Sequence, residues 1–195
     1  MKNKLILITG CAGFIGSHLV DCYLKKNYKI IGIDNMSTGN KFFIESALKN
    51  KNFKFYKVDL FKKDIDKYFK NIDTVFHLAA NADVRFGLNH RSRDIRQNIL
   101  VTHKILEAMV KNNVKKIMFS STGSVYGESD QIPTREDAPF PIQTSLYGAS
   151  KLSAESLISA YCEGYNIQSY IFRFVSILGE RYSHGHVYDF VNQLK

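Results

Sequence analysis

Thr9-Gly10-Cys11-Ala12-Gly13-Phe14-Ile15-Gly16 is the stretch on which the reading of this chain turns. Before it stands a short apolar run, residues 4–9, and after it an amphipathic stretch, residues 14–26. The glycines are spaced GxxGxxG. Glycines let the backbone turn tightly and come close to a pyrophosphate, and a helix N-terminus offers free N–H groups with partial positive charge. Three glycines also occur by chance in an ordinary strand-to-helix turn. Their place directly after a strand and before a helix favours dinucleotide binding, with Gly10, Gly13, Phe14, Ile15 and Gly16 as expected contacts.

Outward from this stretch, short apolar runs alternate with longer amphipathic ones. The pattern predicts strands over 4–9, 29–33, 53–58, 74–79, 115–120 and 167–172, and helices over 14–26, 64–69, 91–111 and 145–163. In the third helix Ile95, Ile99, Thr102, Ile105, Leu106 and Met109 recur at helical spacing. Strands apolar on both faces and separated by helices form a parallel sheet covered on both sides. The expected fold class is therefore α/β, a doubly wound parallel sheet, whose ligands bind at the carboxyl ends of the strands. Residues 1–175 make up this domain. The longest irregular stretch, about 127–144, holds all three prolines, and loops of that length are commonly functional.

The strand ends carry the candidate cofactor contacts. Asp34 ends the second strand, 18 residues past Gly16. A carboxylate there accepts from both ribose hydroxyls and repels a 2′-phosphate, which favours NAD over NADP; the plain alternative is a loop aspartate capping the next element. Asn35, Ser37, Thr38 and Gly39 follow it. Asp59 and Leu60 end the third strand, near an adenine amino group. Leu78, Ala79 and Ala80 end the fourth, small enough for a cofactor to lie against them. His77 reads as a packed strand histidine rather than a base, because no nucleophile or metal partner stands near it in sequence.

Tyr147-Gly148-Ala149-Ser150-Lys151 opens a helix, and a spacing of four stacks Tyr147 and Lys151 on one face. A phenol with a pKa near 10 is a poor base at neutral pH, but a nearby cation favours the phenolate. Tyr147 can then exchange a proton with a substrate hydroxyl while hydride moves. Such a pair is common on helix surfaces. What makes it specific is the hydroxyl-rich end of the fifth strand, residues 119–127, appearing in the same chain as the glycine stretch.

Bulk properties bound the rest. The 195 residues suffice for one well-cored domain, and no apolar run reaches membrane-spanning length. The net charge of +9 comes from scattered lysines with no dense basic arm, which disfavours nucleic acid and suits an anionic, phosphate-bearing small molecule. Cys11, Cys22 and Cys162 form no CxxC or metal spacing, as expected in a reducing, cytoplasmic setting. The N-terminal apolar run before Cys11 is too short for a signal peptide, which needs roughly 7–15 apolar residues.

TGCAGFIGSHL (9–19), DNMSTG (34–39), VDL (58–60), HLAA (77–80), QNILVT with Asn98, SSTGSVYG (120–127) and YGASK (147–151) together resemble the extended short-chain dehydrogenase/reductase family, and within it the UDP-glucose 4-epimerase-like enzymes. The resemblance implies a Rossmann-type fold, bound NAD, Asn98 and Ser120 among its contacts, and a triad of Thr122, Tyr147 and Lys151. It implies a transient 4-keto sugar, reversible hydride transfer and a UDP-hexose substrate. Dehydratases of the family carry Thr-Asp-Glu where this chain has Thr122-Gly123-Ser124, and related decarboxylases also place a glutamate there; without that acid, elimination is disfavoured. A dehydrogenase that releases NADH and a non-catalytic NAD-binding module are the rivals. Two departures stand out: Arg173-Phe174-Val175-Ser176 lacks the family's asparagine, and Gly179-Glu180-Arg181 its proline. The segment 183–190 looks like a substrate loop, with His184 and His186 too few for a metal site. The resemblance also leads to the expectation of a homodimer through helices 91–111 and 145–163, and of a truncated chain in which 176–195 begin a smaller substrate-binding region that is mostly absent, since such enzymes run to about 300 residues.

Overall fold

The computed structural model describes residues 4–81, 89–139, 142–182 and 185–195. Six strands, β1 (Leu5–Thr9), β2 (Lys29–Asp34), β3 (Phe53–Lys57), β4 (Thr74–His77), β5 (Lys116–Thr122) and β6 (Gln168–Phe174), form one sheet in the order β3-β2-β1-β4-β5-β6. Every pairing is parallel, for example Thr9 with Ile33 and with His77. The order reverses between β1 and β4, so a crevice opens there at the strand ends.

The two faces of the sheet bury different residues because strand side chains alternate. On one face Ile6, Ile8, Ile30 and Phe76 pack with Val20 and Leu24 of α1 (Phe14–Lys25) and Ala47 of α2 (Glu45–Leu48). On the other, Leu7, Val75, Ile117 and Phe119 pack with Ile105, Leu106 and Met109, and with Ala154 and Ile158. This is the doubly wound α/β architecture expected.

Three element readings are corrected. The helix expected over 91–111 is three pieces in tandem: α3 (Ser92–Asp94), a π turn (Ile95–Leu100) and α4 (Val101–Lys111). Apolar periodicity runs through one widened turn almost unbroken, so sequence reads it as one helix. Residues 64–69 contain only a short 3-10 turn, Asp66–Phe69. Lys41–Ile44 and α2, which have no helical period of useful length, were not expected; Asn40 caps that turn by accepting from the Phe42 N–H at 3.0 Å. The helix α5 (Leu146–Tyr165) starts as predicted, with Ser145 Oγ accepting from the Gly148 N–H at 3.0 Å. A last helix, α6 (His186–Gln193), follows. No helix among the described residues is long and apolar enough to cross a membrane.

Candidate active site

The glycine turn is built as its spacing requires. Gly10 has φ +69°, and a β-carbon on it would meet the Ala79 amide nitrogen at 2.8 Å. Gly13 caps α1 without a side-chain bond, leaving that helix end open to a ligand. Gly10, Gly13, Phe14, Ile15 and Gly16 all line one cleft of about 370 Å³, the scale of a small-molecule site. Asn35, Ser37, Thr38, Gly39, Asp59, Leu60, Leu78, Ala79, Ala80 and Ser120 line it too.

Asp34, on the same wall, accepts from the Ala12 N–H at 3.0 Å and the Met36 N–H at 2.8 Å. It therefore ties the glycine turn to the end of β2, and each carboxylate oxygen keeps a lone pair for a ligand hydroxyl. Asp59 accepts from the Phe61 N–H at 3.0 Å, fixing the turn after β3.

The same cleft is lined by Thr122, Tyr147 and Lys151. Thr122 Oγ1 accepts from the Ser124 N–H at 3.1 Å and its hydroxyl donates to Ser124 Oγ at 3.2 Å. Ser121 points away: its hydroxyl donates to the Glu155 carboxylate. Ser120, Ser121 and Thr122 all line the cleft with Tyr147, and of the three it is Thr122 that acts on the Tyr147 phenol. Lys151 is buried, donates to the Ser120 carbonyl at 2.7 Å and lies 4.8 Å from the centre of the Phe119 ring.

Burial acts on both groups. It pushes the Tyr147 phenol above its ordinary value; the Thr122 contact pulls down and the Asp94 carboxylate pushes up. It also lowers Lys151 to about 8, against the charges of Glu155 and Asp94, which raise it. The protein alone therefore holds Tyr147 as a phenol, and the phenolate expected from a neighbouring ammonium needs further positive charge in the cleft.

His77 has the packed role read from sequence. Thr9 Oγ1 accepts from the Leu78 and Ala79 N–H groups, both at 3.2 Å, so its own proton is free for His77 Nδ1 at 2.9 Å. His77 Nε2 then donates to Thr102 Oγ1 at 3.0 Å, and Thr102 donates to the Asn98 carbonyl at 2.6 Å. This chain of bonds assigns the neutral Nε2–H tautomer. Burial, with Lys151 nearby, lowers His77 to about 3.

Asn98 is not in the cleft wall. It lies in the π turn beneath the site, where its Oδ1 accepts from the Asn81 N–H at 2.9 Å and its Nδ2 donates to Ser150 Oγ at 2.8 Å. Asn81 Nδ2 donates to Asp94 Oδ1 at 2.8 Å. Asn81, Asp94, Thr9 and Ser150 were not picked out from sequence; each is an ordinary polar residue whose importance comes from burial. Nor was Glu155, whose buried carboxylate pairs with Arg173 Nη2 at 2.9 Å. Arg173 also donates to the Glu136 carbonyl at 3.0 Å, so it ties β6 and α5 to the long irregular stretch.

Phe174, Val175, Ser176, Ile177, Tyr182 and Gly185 close one side of the cleft. Their segment is strapped to α1: Arg181 Nη2 pairs with Asp21 at 2.7 Å, His18 Nε2 bonds the Glu180 carbonyl at 2.8 Å, and Tyr182 meets the Phe14 ring edge-on. Ser183 and His184 lie outside the described residues. Among the described residues no group of three His, Cys, Asp or Glu side chains could hold a metal.

Comparison with known proteins adds four findings. The family model described as the NAD dependent epimerase/dehydratase family matches residues 6–195. A putative UDP-glucose 4-epimerase of Methanocaldococcus jannaschii is 41% identical over 181 residues, which cover 91% of this chain and 57% of that protein. Among solved structures, a UDP-galactose 4-epimerase superposes with TM-score 0.88 at 34% identity, over 97% of this chain and 62% of the other. The UDP-glucuronic acid 4-epimerase of Bacillus cereus, solved with UDP-glucuronic acid and NAD, gives TM-score 0.80 at 38% identity, over 87% and 55%. The chain thus spans a little over half the length of its relatives.

Proposed function

The chain belongs to the NAD-dependent epimerase/dehydratase family, and we propose that it is the NAD-holding part of a nucleotide-sugar 4-epimerase that acts on a UDP-hexose. The observation that carries this reading is the meeting of Thr122, Tyr147 and Lys151 in one cleft with the glycine turn.

The residues present fit the dinucleotide. The cradle at Gly10 and Gly16 leaves no room for side chains, the open N-terminus of α1 faces the cleft, and Asp34 retains acceptor capacity for ribose hydroxyls. Gly10, Gly13, Phe14, Ile15 and Gly16 would hold the pyrophosphate, Asp34 to Gly39 the ribose, and Asp59 with Leu60 the adenine. Leu78, Ala79, Ala80 and Ser120 would border the nicotinamide half, with Asn98 acting from below. When bound, NAD supplies a hydride acceptor that can return the hydride, and its oxidised ring adds the positive charge that favours Tyr147 phenolate.

In the reaction proposed, Thr122 orients the sugar's C4 oxygen and Tyr147 takes its proton as the C4–H bond yields hydride. A 4-keto sugar results; Tyr147 then gives the proton back as hydride returns to the opposite face. Lys151 supports the phenolate electrostatically. Gly123-Ser124 offers no carboxylic acid to protonate a leaving hydroxyl, which supports epimerisation over dehydration. We read residues 1–175 as the cofactor domain and 176–195 as the start of the substrate-binding region. We place the protein in the cytoplasm as a homodimer, with no nucleic-acid or membrane partner.

The test is incubation of the full-length parent protein with UDP-galactose or UDP-glucose without added reductant, followed by chromatography and NADH absorbance. Interconversion with no net NADH is expected. Net NADH would make the protein a dehydrogenase, and no conversion despite bound NAD would overturn the substrate assignment.

A further inference from the structure

Asp94 is completely buried, yet among the described residues no cation pairs with it. Its Oδ1 accepts from Asn81 Nδ2 at 2.8 Å and, more distantly, from Asn98 Nδ2 at 3.5 Å; its Oδ2 has no hydrogen-bond partner. An unpaired buried carboxylate destabilises a fold, and a neutral asparagine at this position would accept the same bond from Asn81. Hydrogen bonding alone therefore does not explain a carboxylate here. What the carboxylate adds is charge.

That charge lies in the turn packed against the helix that carries the reacting pair. α3, which ends in Asp94, packs on α5, which carries Tyr147 and Lys151. The hydrogen bonds run the same way: Asp94 to Asn81 and Asn98, then Asn98 to Ser150, one residue before Lys151. We propose that Asp94 is a positioning residue for Tyr147 and Lys151: through Asn98 and Ser150 it fixes the first turns of α5, and its charge serves, with that of Glu155, as counter-ion to the buried Lys151. The proposal rests on the reading of Tyr147 and Lys151 as the reacting pair.

The other groups around Lys151 share this role only in part. On its own helix Glu155 also raises Lys151, but its carboxylate is committed to Arg173 at 2.9 Å, whereas Asp94 has no such partner among the described residues. From β4, His77 is held neutral by burial. From β5 come the Ser120 carbonyl and the Phe119 ring, which are uncharged. Asp94 raises both Lys151 and Tyr147, so it keeps the lysine an ammonium against a burial that favours the free amine.

The experiment titrates Lys151 directly, by NMR of lysine side chains labelled at the ε-carbon, with Lys151→Arg to assign the signal. It needs no sugar and no turnover, so its outcome is independent of whether the epimerase assay succeeds. Asp94→Asn is expected to move the Lys151 midpoint to lower pH while circular dichroism and NAD binding are retained. Asp94→Ser, neutral and smaller, is expected to move it in the same direction. A folded Asp94→Asn protein with an unmoved Lys151 midpoint would overturn the proposal. So would failure of both variants to fold even with NAD present, because Asp94 would then be a residue of the fold alone.

Discussion

A β-carbon on Gly16 would stand 2.1 Å from the carbonyl oxygen of Gly10, the tightest approach in the glycine turn. The obstacle is backbone, so the first turn of α1 cannot accept a side chain there without moving the cradle. Gly16→Ala is expected to weaken NAD binding by at least about tenfold, or 1.4 kcal/mol. Calorimetric titration checks this; unchanged affinity would mean that the cofactor does not rest on this turn.

Asp34 joins the cradle to β2 through the Ala12 and Met36 N–H groups. Asp34→Ala removes those acceptors and the charge that repels a 2′-phosphate. Affinity for NAD is expected to fall about 10- to 100-fold, in line with the ~1.5–3 kcal/mol of a bond to a charged group. The preference for NAD over NADP is expected to narrow. Parallel fluorescence titrations with the two dinucleotides measure both effects.

Tyr147→Phe keeps the ring that lines the cleft and deletes the proton carrier. Turnover is expected to fall by roughly 10²–10⁴, the usual worth of a positioned acid–base group, with NAD affinity little changed. Equal losses in both would assign Tyr147 to binding.

His77 is lowered to about 3 by burial, with Lys151 adding to the effect. A histidine whose folded pKa lies below its unfolded value stabilises the fold above the unfolded pKa, near 6.5, and that contribution is lost as pH falls towards 3. Urea unfolding is therefore expected to show stability dropping from about pH 6.5 downward, by several kcal/mol at the extreme. His77→Gln, which removes the titrating group, is expected to flatten the same window; an unchanged slope would place the acid sensitivity elsewhere.

Glu155 and Arg173 are unequally buried, with side chains 6% and 24% exposed. Arg173→Ala strands a buried carboxylate, at ~3–5 kcal/mol for a broken buried pair. Glu155→Gln leaves a guanidinium that still reaches water and keeps Tyr126 and the Glu136 carbonyl as partners. The arginine variant is expected to be the less stable in denaturant unfolding, and the double variant to recover part of the loss. The reverse order would mean that Arg173 acts mainly through the 126–136 segment.

Some of this was written in the sequence because it depends on local stereochemistry. The Gly10–Gly16 spacing, the apolar runs flanking it, the carboxylate ending β2 and the Tyr147/Lys151 spacing act over a few residues or one helix turn. Periodicity could therefore recover the six parallel strands, α1 and α5. It could not show the π turn at Ile95–Leu100, because one extra residue in a turn hardly disturbs an apolar pattern. Nor could it show that Asn98 lies beneath the cleft and not in its wall.

What only the tertiary structure decided are the relationships between residues far apart in the chain. Thr9 and His77 are 68 residues apart, and Arg181 reaches Asp21 across 160. Sequence showed hydroxyls, a histidine and lysines. Folding determined that Ser121 turns to Glu155 while Thr122 shares the cleft with Tyr147, and that His77 is neutral. The physical reason is burial: protonation and partner choice follow from how much water each group loses and which charges remain close to it. Those quantities come into being only when β1, β4, β5 and α5 are brought together.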